Sequence, residues 1–245
     1  MSLDFDKITK LDGWLSRNEG RVLYQLAKSL TNDSMVVEIG SFQGKSTICL
    51  AQALKEKGSG RVYSVDPHLG QTHQGEKEFS QTYSSFLKNI KNFKVSDFVA
   101  PIRKKSLEAA KNWKKPIDLL HIDGLHEYKY VKQDLGSWIP YLIDGGVLVC
   151  HDAFTPEPDV FRAIEEEVIQ SGQFCYLAPN DSQIIAIKGK PTGIWQKINY
   201  WRQVYFVTLA CQIWQNPIID YNLRYFLVNR VLKLFFLNKF MIESL

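Results

Sequence analysis

The run Met35-Val36-Val37-Glu38-Ile39-Gly40-Ser41-Phe42-Gln43-Gly44-Lys45-Ser46-Thr47 narrows the choice of folds more than any other part of the chain. An apolar segment ending in an acid, a glycine-punctuated turn and a helix-compatible stretch from Ser46 to Leu54 read as the first strand, loop and helix of a βαβ unit. Gly40 permits a tight turn at the strand end, and Gly44 lets backbone approach a ligand with no Cβ in the way. A phosphate-cradling P-loop needs four residues between its glycine and its Gly-Lys-Ser/Thr, whereas Gly40 and Gly44 enclose three. A dinucleotide fingerprint is weakened because Ser41 and Phe42 stand where that pattern wants close backbone approach. What is left is Glu-x-Gly-x-x-x-Gly, with an ordinary strand-turn-helix corner as its alternative.

The rest of the chain supports an α/β reading. At 245 residues it has room for one such domain plus an extension, and 45% hydrophobic against 23% charged residues makes it globular rather than disordered. The net charge of +4 is a small excess without the concentrated basic footprint of a nucleic-acid binder. Cys49, Cys150, Cys175 and Cys211 are too dispersed for a zinc site or a disulfide framework, so reduced thiols are expected. The start, Met1 to Asp6, lacks a basic region followed by an apolar one, and a cytoplasmic location is expected.

Taken in order, residues 11 to 30 carry apolar positions at helical spacing, with Trp14 expected as a core anchor. Arg61 to Asp66 reads as the second strand, and Asp66 at its end is placed to accept hydrogen bonds from ribose hydroxyls, or else to cap a turn before Pro67. His68 to Glu78 reads as a loop or lid in which His68 and His73 are candidates for substrate contact. A helix follows over 79 to 92, then a third strand over 98 to 102. Ser106 lies at the next strand-to-helix transition, where its hydroxyl can cap the helix or bond an adenine.

Two similar units carry the chemistry: Pro116 to Tyr128, containing Asp123 and His126, and Gly145 to Asp152, containing His151. In a parallel sheet both strands end at one edge, so Asp123 and Asp152 converge there. Carboxylates beside imidazoles suit Mg²⁺ or a similar divalent cation, which would lower the pKa of a substrate hydroxyl. His126 is expected as the general base, against a solvated helix-start histidine. His151 would point away from Asp152 in a regular strand, and only an irregular strand end lets both serve. Residues 156 to 170 read as a helix with Glu165, Glu166 and Glu167 on a solvated face, followed by two closing strands over 173 to 178 and 182 to 188.

The strings WLSRNEGRVLYQLAK, VVEIGSFQGKST, VYSVDPH and LLHIDGLHEYKYVKQDLGSWIPYLIDGGVLVCHD, in that order, resemble class I S-adenosylmethionine-dependent methyltransferases. They look most like the branch that includes macrocin O-methyltransferase-like sugar-methylating enzymes, to which cephalosporin-hydroxylase-type proteins are related. The resemblance covers roughly residues 12 to 188. It implies a Rossmann-like, doubly wound, seven-stranded and mostly parallel sheet with an antiparallel edge strand. It also implies S-adenosylmethionine as cofactor, bound by Glu38, Gly40, Ser41, Gly44, Asp66, Ser106 and Asp123. A divalent cation would be held by Asp123 and Asp152, with His151 as a further ligand or a base. The expected activity is O-methylation of a sugar, glycan or small metabolite; the alternative is a noncatalytic binding or scaffold protein on the same fold.

Composition changes after Lys190, which divides the chain into a methyltransferase domain (1–190) and an aromatic-rich helical extension (191–245). Apolar runs such as Leu234 to Leu237 are far shorter than the ~20 residues needed to cross a bilayer. Amphipathic helices are expected, whose broad apolar faces ask for cover. Packing on the domain or homo-oligomerisation is the first expectation, and peripheral membrane contact is the alternative, suited to a membrane-bound acceptor.

Overall fold

A computed structural model describes residues 3–69, 82–155, 158–220, 222–224 and 226–228. Seven strands form one sheet: β1 (Met35–Ile39), β2 (Arg61–Val65), β3 (Val99–Ile102), β4 (Ile117–Ile122), β5 (Leu142–Cys150), β6 (Phe174–Asn180) and β7 (Gln183–Lys188). Their order is β3-β2-β1-β4-β5-β7-β6, with β1 to β5 parallel and β7 antiparallel to both of its neighbours. Chain order reverses between β1 and β4. There the crossover helices leave to opposite faces and open a crevice at the strands' C-terminal ends. This is the Rossmann-like arrangement expected, and the antiparallel component is the β6–β7 hairpin.

Helices cover both faces, and the sheet divides the core in two. One layer packs α2 (Arg17–Ser29), α3 (Lys45–Lys57) and α4 (Thr82–Asn92) on one side, after a short opening helix α1 (Phe5–Ile8). The other packs α5 (Ser106–Lys111), α6 (Tyr128–Trp138), α7 (Asp159–Ile164) and α8 (Ile194–Gln215). The central strands are buried on both faces, as parallel strands between helices must be, which is why β1 and β4 are mostly apolar and even their Glu38 and His121 are buried. Helix α2 starts at a capping box in which Ser16 accepts from the Glu19 N–H and Glu19 accepts from the Ser16 N–H.

Several expectations fall differently. Trp14 is no core anchor: its side chain is 75% exposed and leans on Phe42, while the neighbouring Leu15 is buried instead. Glu165, Glu166 and Glu167 are half-buried on a π-helical turn continuing α7, where Glu166 accepts from the Tyr128 hydroxyl and from Lys132, both at 2.6 Å. His68 is buried against Tyr83 and Phe86, with Nδ1 3.0 Å from the Thr82 hydroxyl. His73 lies outside the described residues, as do 79–81 of the expected helix. Among the described residues no helix is long and apolar enough to cross a membrane.

Candidate active site

The glycine loop is held by contacts no other residue would allow. Gly40 has φ +83°, and a Cβ built on it would lie 2.0 Å from the Asp123 carbonyl oxygen. Thus the ends of β1 and β4 touch only because that side chain is missing. The Gly40 N–H donates to Val65 at 2.9 Å and the Asp123 N–H donates to Ile39 at 2.8 Å, fastening three strand ends together. Gly44, at φ +89°, begins α3. Between the glycines, Asp66 orders the loop: Oδ2 accepts the Ser41 and Phe42 N–H groups, each at 2.9 Å, and Oδ1 accepts that of His68 at 2.7 Å. A carboxylate offers about four lone-pair sites. A ribose diol at Asp66 would therefore share it with the bonds that shape the loop. Ser41 Oγ is buried with no hydrogen-bond partner among the described residues, the kind of orphan that a bound polar group relieves.

Glu38 does not stand on the rim. It lies one residue short of the β1 end, in register with Ser64 and His121, and is fully buried. Oε2 accepts from the Thr47 hydroxyl and, at 3.3 Å, from that of Ser64, while Oε1 is 3.5 Å from His121 Nδ1. The acid therefore ties β1 to β2, β4 and α3 beneath the loop and contacts the loop only through that scaffold. Ser106 opens α5 but does not cap it. Its hydroxyl accepts from the Trp138 indole at 2.9 Å and bonds Asp134. Burial pushes the Asp134 carboxyl up to about 6, with the Ser106 hydroxyl pulling the other way.

Beyond the ends of β4 and β5 the remaining candidates do meet. Asp152 has φ +54°, a left-handed conformation that aspartate tolerates better than most residues, and this turn breaks the strand's alternation. As a result His151 and Asp152, adjacent in sequence, face one another: His151 Nδ1 is 2.9 Å from Asp152 Oδ2 and 3.3 Å from Asp123 Oδ1. His126 Nε2 is 3.0 Å from Asp152 Oδ2 and its ring is partly exposed at the mouth.

Glu19, which sequence reasoning missed, approaches His151 from behind. Its Oε2 is 3.3 Å from His151 Nε2, and its Oε1 accepts from Ser182 N–H at 3.0 Å and Ser182 Oγ at 2.6 Å. The one local signal that bears on it, the capping-box spacing Ser16-x-x-Glu19, announces a helix start and not a partner 132 residues away. Burial disfavours charge on this buried histidine, yet Asp123, Asp152 and Glu19 together hold its pKa well above the ordinary range. Burial likewise opposes ionisation of Asp123 and Glu19, but the imidazolium between them keeps both near about 2.

Asp123, His126 and Asp152 each offer a ligand atom within 4.8 Å of the others. Two carboxylate oxygens with one imidazole nitrogen fit a divalent cation, and the nitrogen favours ions such as Mn²⁺ or Zn²⁺ over oxygen-seeking Mg²⁺. His126, expected as base, stands in the trio, and His151, expected as a further ligand or a base, has both nitrogens against carboxylates. An open cleft of about 300 Å³ lies beside the loop, lined by Asp12, Gly13, Trp14, Phe42 and Gln43.

Comparison with known proteins bears on this arrangement. Residues 37–153, from β1 to just past Asp152, match a family model described as a methyltransferase domain. The uncharacterized protein R132 of Acanthamoeba polyphaga mimivirus is 29% identical over 181 residues, 70% of this chain and 76% of that protein. Among solved structures, an O-methyltransferase from Bacillus cereus in complex with SAH superposes with a TM-score of 0.57 at 18% identity, over 76% of this chain and 90% of that one. The O-methyltransferase TomG from Streptomyces achromogenes, in complex with SAM, gives 0.55 at 18% identity over 75% and 85%. At such identities these two structures speak for the fold. Residues 37–153 thus match a methyltransferase-domain model, within a larger chain that supplies α2, the β6–β7 hairpin and α8 from outside the matched span.

Proposed function

We propose that this chain transfers a methyl group from S-adenosylmethionine to a hydroxyl oxygen of a sugar, glycan or small metabolite, in the manner of the macrocin O-methyltransferase-like branch. The observation that carries the reading is the convergence of Asp123, Asp152 and His126 at the mouth of the crevice whose floor is the Asp66-ordered glycine loop. The SAM- and SAH-bound structures of the two neighbouring O-methyltransferases support the choice of cofactor. The loop fits it, with the unpartnered Ser41 hydroxyl and the Asp66 carboxylate as its polar contacts.

When bound, the cofactor supplies an electrophilic methyl on a positively charged sulfur. The chain has to hold the acceptor oxygen in line and remove one proton. His126 is the base in this reading: with Nε2 on Asp152, the basic lone pair of the ring lies on Nδ1, and Asp152 stabilises the imidazolium that forms. His151 stays charged between Asp123, Asp152 and Glu19 and fixes the direction of both rim carboxylates. A divalent cation would be held by Asp123, Asp152 and His126, and would lower the pKa of a bound hydroxyl. In that form His126 is a ligand and the proton leaves to another acceptor.

Calorimetry with S-adenosylmethionine tests the cofactor, and Asp66→Ala should weaken binding at least tenfold. Absence of heat up to millimolar cofactor sinks the proposal. Methyl transfer to a panel of hydroxylated acceptors, with and without chelator, then separates base from ligand: loss of turnover on chelation assigns His126 to the cation.

A further inference from the structure

Helix α8 reconciles two demands that its sequence alone leaves in conflict. One face is taken up by the domain: Tyr200, Val204, Val207, Ala210 and Cys211 join the core beside β6, and Gln203 accepts the Leu177 N–H at 3.0 Å. The opposite face is apolar too. Ile194, Ile198, Trp201 and Tyr205 recur at the i, i+4, i+7, i+11 spacing of a single helical stripe, and all four are exposed. Trp195 beside them is 79% exposed. On a helical projection Lys197 lies on one flank of the stripe and Arg202 on the other, both exposed, and the helix contains no Asp or Glu.

We propose that this stripe is a docking surface for an anionic lipid bilayer, on which α8 lies parallel to the membrane plane. Three observations choose lipid over a protein partner. The exposed residues are dominated by tryptophan and tyrosine, whose amphipathic rings settle at the headgroup level. The cations sit where a half-immersed helix places them, at the boundary of its apolar face.

The charge is also divided along the chain. Residues 191–245 carry six Lys and Arg against Asp220 and Glu243, while residues 1–190 carry 24 Lys and Arg against 24 Asp and Glu. A basic segment on an otherwise neutral chain, with Lys197 and Arg202 exposed on α8, is what attraction to a negative leaflet requires. No helix among the described residues is long and apolar enough to cross a bilayer. The proposal rests on the packing and charge of α8 and is independent of the methyl-transfer reading.

The full chain should co-sediment with vesicles of phosphatidylcholine containing phosphatidylserine roughly tenfold more tightly than with phosphatidylcholine alone, an advantage that shrinks as salt rises. The double variant Trp195→Ser/Trp201→Ser should abolish recovery on both vesicles, and Lys197→Glu/Arg202→Glu should remove only the preference for the anionic ones. Thermal unfolding should be unchanged in both variants, because these side chains lie outside the core. Equal recovery of wild type and both variants overturns the proposal. So does a dimer in sedimentation velocity that the tryptophan variant converts to monomer without lipid, which would assign the stripe to a second copy.

Discussion

Two acid–histidine groupings lie on neighbouring strands and have opposite fates. Glu38 and His121 face each other in register on β1 and β4, sealed from solvent, with Glu38 Oε1 and both nitrogens of His121 lacking hydrogen-bond partners among the described residues. Asp123 and Asp152 lie beyond the ends of β4 and β5, where His151 and His126 meet them at 2.9 to 3.3 Å beside an open crevice. The residue types are the same. What separates them is one or two positions along a strand, which decide whether a carboxylate ties strands together or reaches a ligand. In the first group the buried carboxyl of Glu38 accepts hydrogen bonds from Thr47 and Ser64. In the second, charge is sustained by opposite charge.

The sharpest way to break this contrast is at the seam between β1 and β4. Gly40→Ala drives a methyl into the Asp123 carbonyl and should cost roughly 3–5 kcal/mol in urea unfolding, or prevent folding. A loss below about 1 kcal/mol would mean the strand ends are not in contact. Next, His126→Ala should leave stability within about 0.5 kcal/mol while methyl transfer falls about 10²- to 10⁴-fold. Glu38→Ala should behave in the opposite sense: it strands the Thr47 and Ser64 hydroxyls and costs roughly 2–4 kcal/mol, with cation affinity at the rim nearly unchanged. If Glu38→Ala instead abolished cation binding at intact stability, the division between scaffold and rim would fail.

Acid unfolding sharpens the comparison further. Asp123 and Glu19 are depressed from ordinary values of 3.8 and 4.5 to about 2 in the folded chain. Their stabilisation is present above the ordinary values and is lost as pH falls from about 4.5 through 2. His151 is raised above its ordinary 6.5. Its contribution is complete below pH 6.5 and declines as pH rises toward its folded value, because there the native state holds a proton that the unfolded chain has released. His151→Gln should therefore flatten both limbs of a stability profile, whereas an unchanged profile would show that the rim charges are not coupled. The smallest effect is expected for Ser41→Ala. Removing a buried hydroxyl with no partner among the described residues should leave stability within about 1 kcal/mol, yet S-adenosylmethionine should bind less tightly in calorimetry.

Much of this was legible in the chain. Strand and turn signals placed β1, β2 and β4 within a residue or so and β5 within about three residues, and Asp66, Asp123 and Asp152 were recognisable because each follows an apolar run that only a strand explains. The failures have a common cause. Trp14 looked like core because large aromatics usually are, but which of Trp14 and Leu15 turns inward depends on how the chain enters α2. Glu38 looked like a rim acid because the end of β1 could not be told from its penultimate residue. Glu19 and Ser182 were invisible as a pair, since nothing local connects a helix start to a hairpin turn 163 residues away.

Local chemistry in the sequence by itself determined the βαβ beginning, the parallel sheet, the glycine loop and the acids at strand ends, because periodicity and turn residues act over a few positions. Only the tertiary structure decided which acids reach the crevice, that His126 rather than His151 opens onto it, and that α8 buries one apolar face while presenting the other. Those outcomes depend on strand register and on left-handed turns such as Asp152, which set side-chain direction through contacts between segments far apart in the chain.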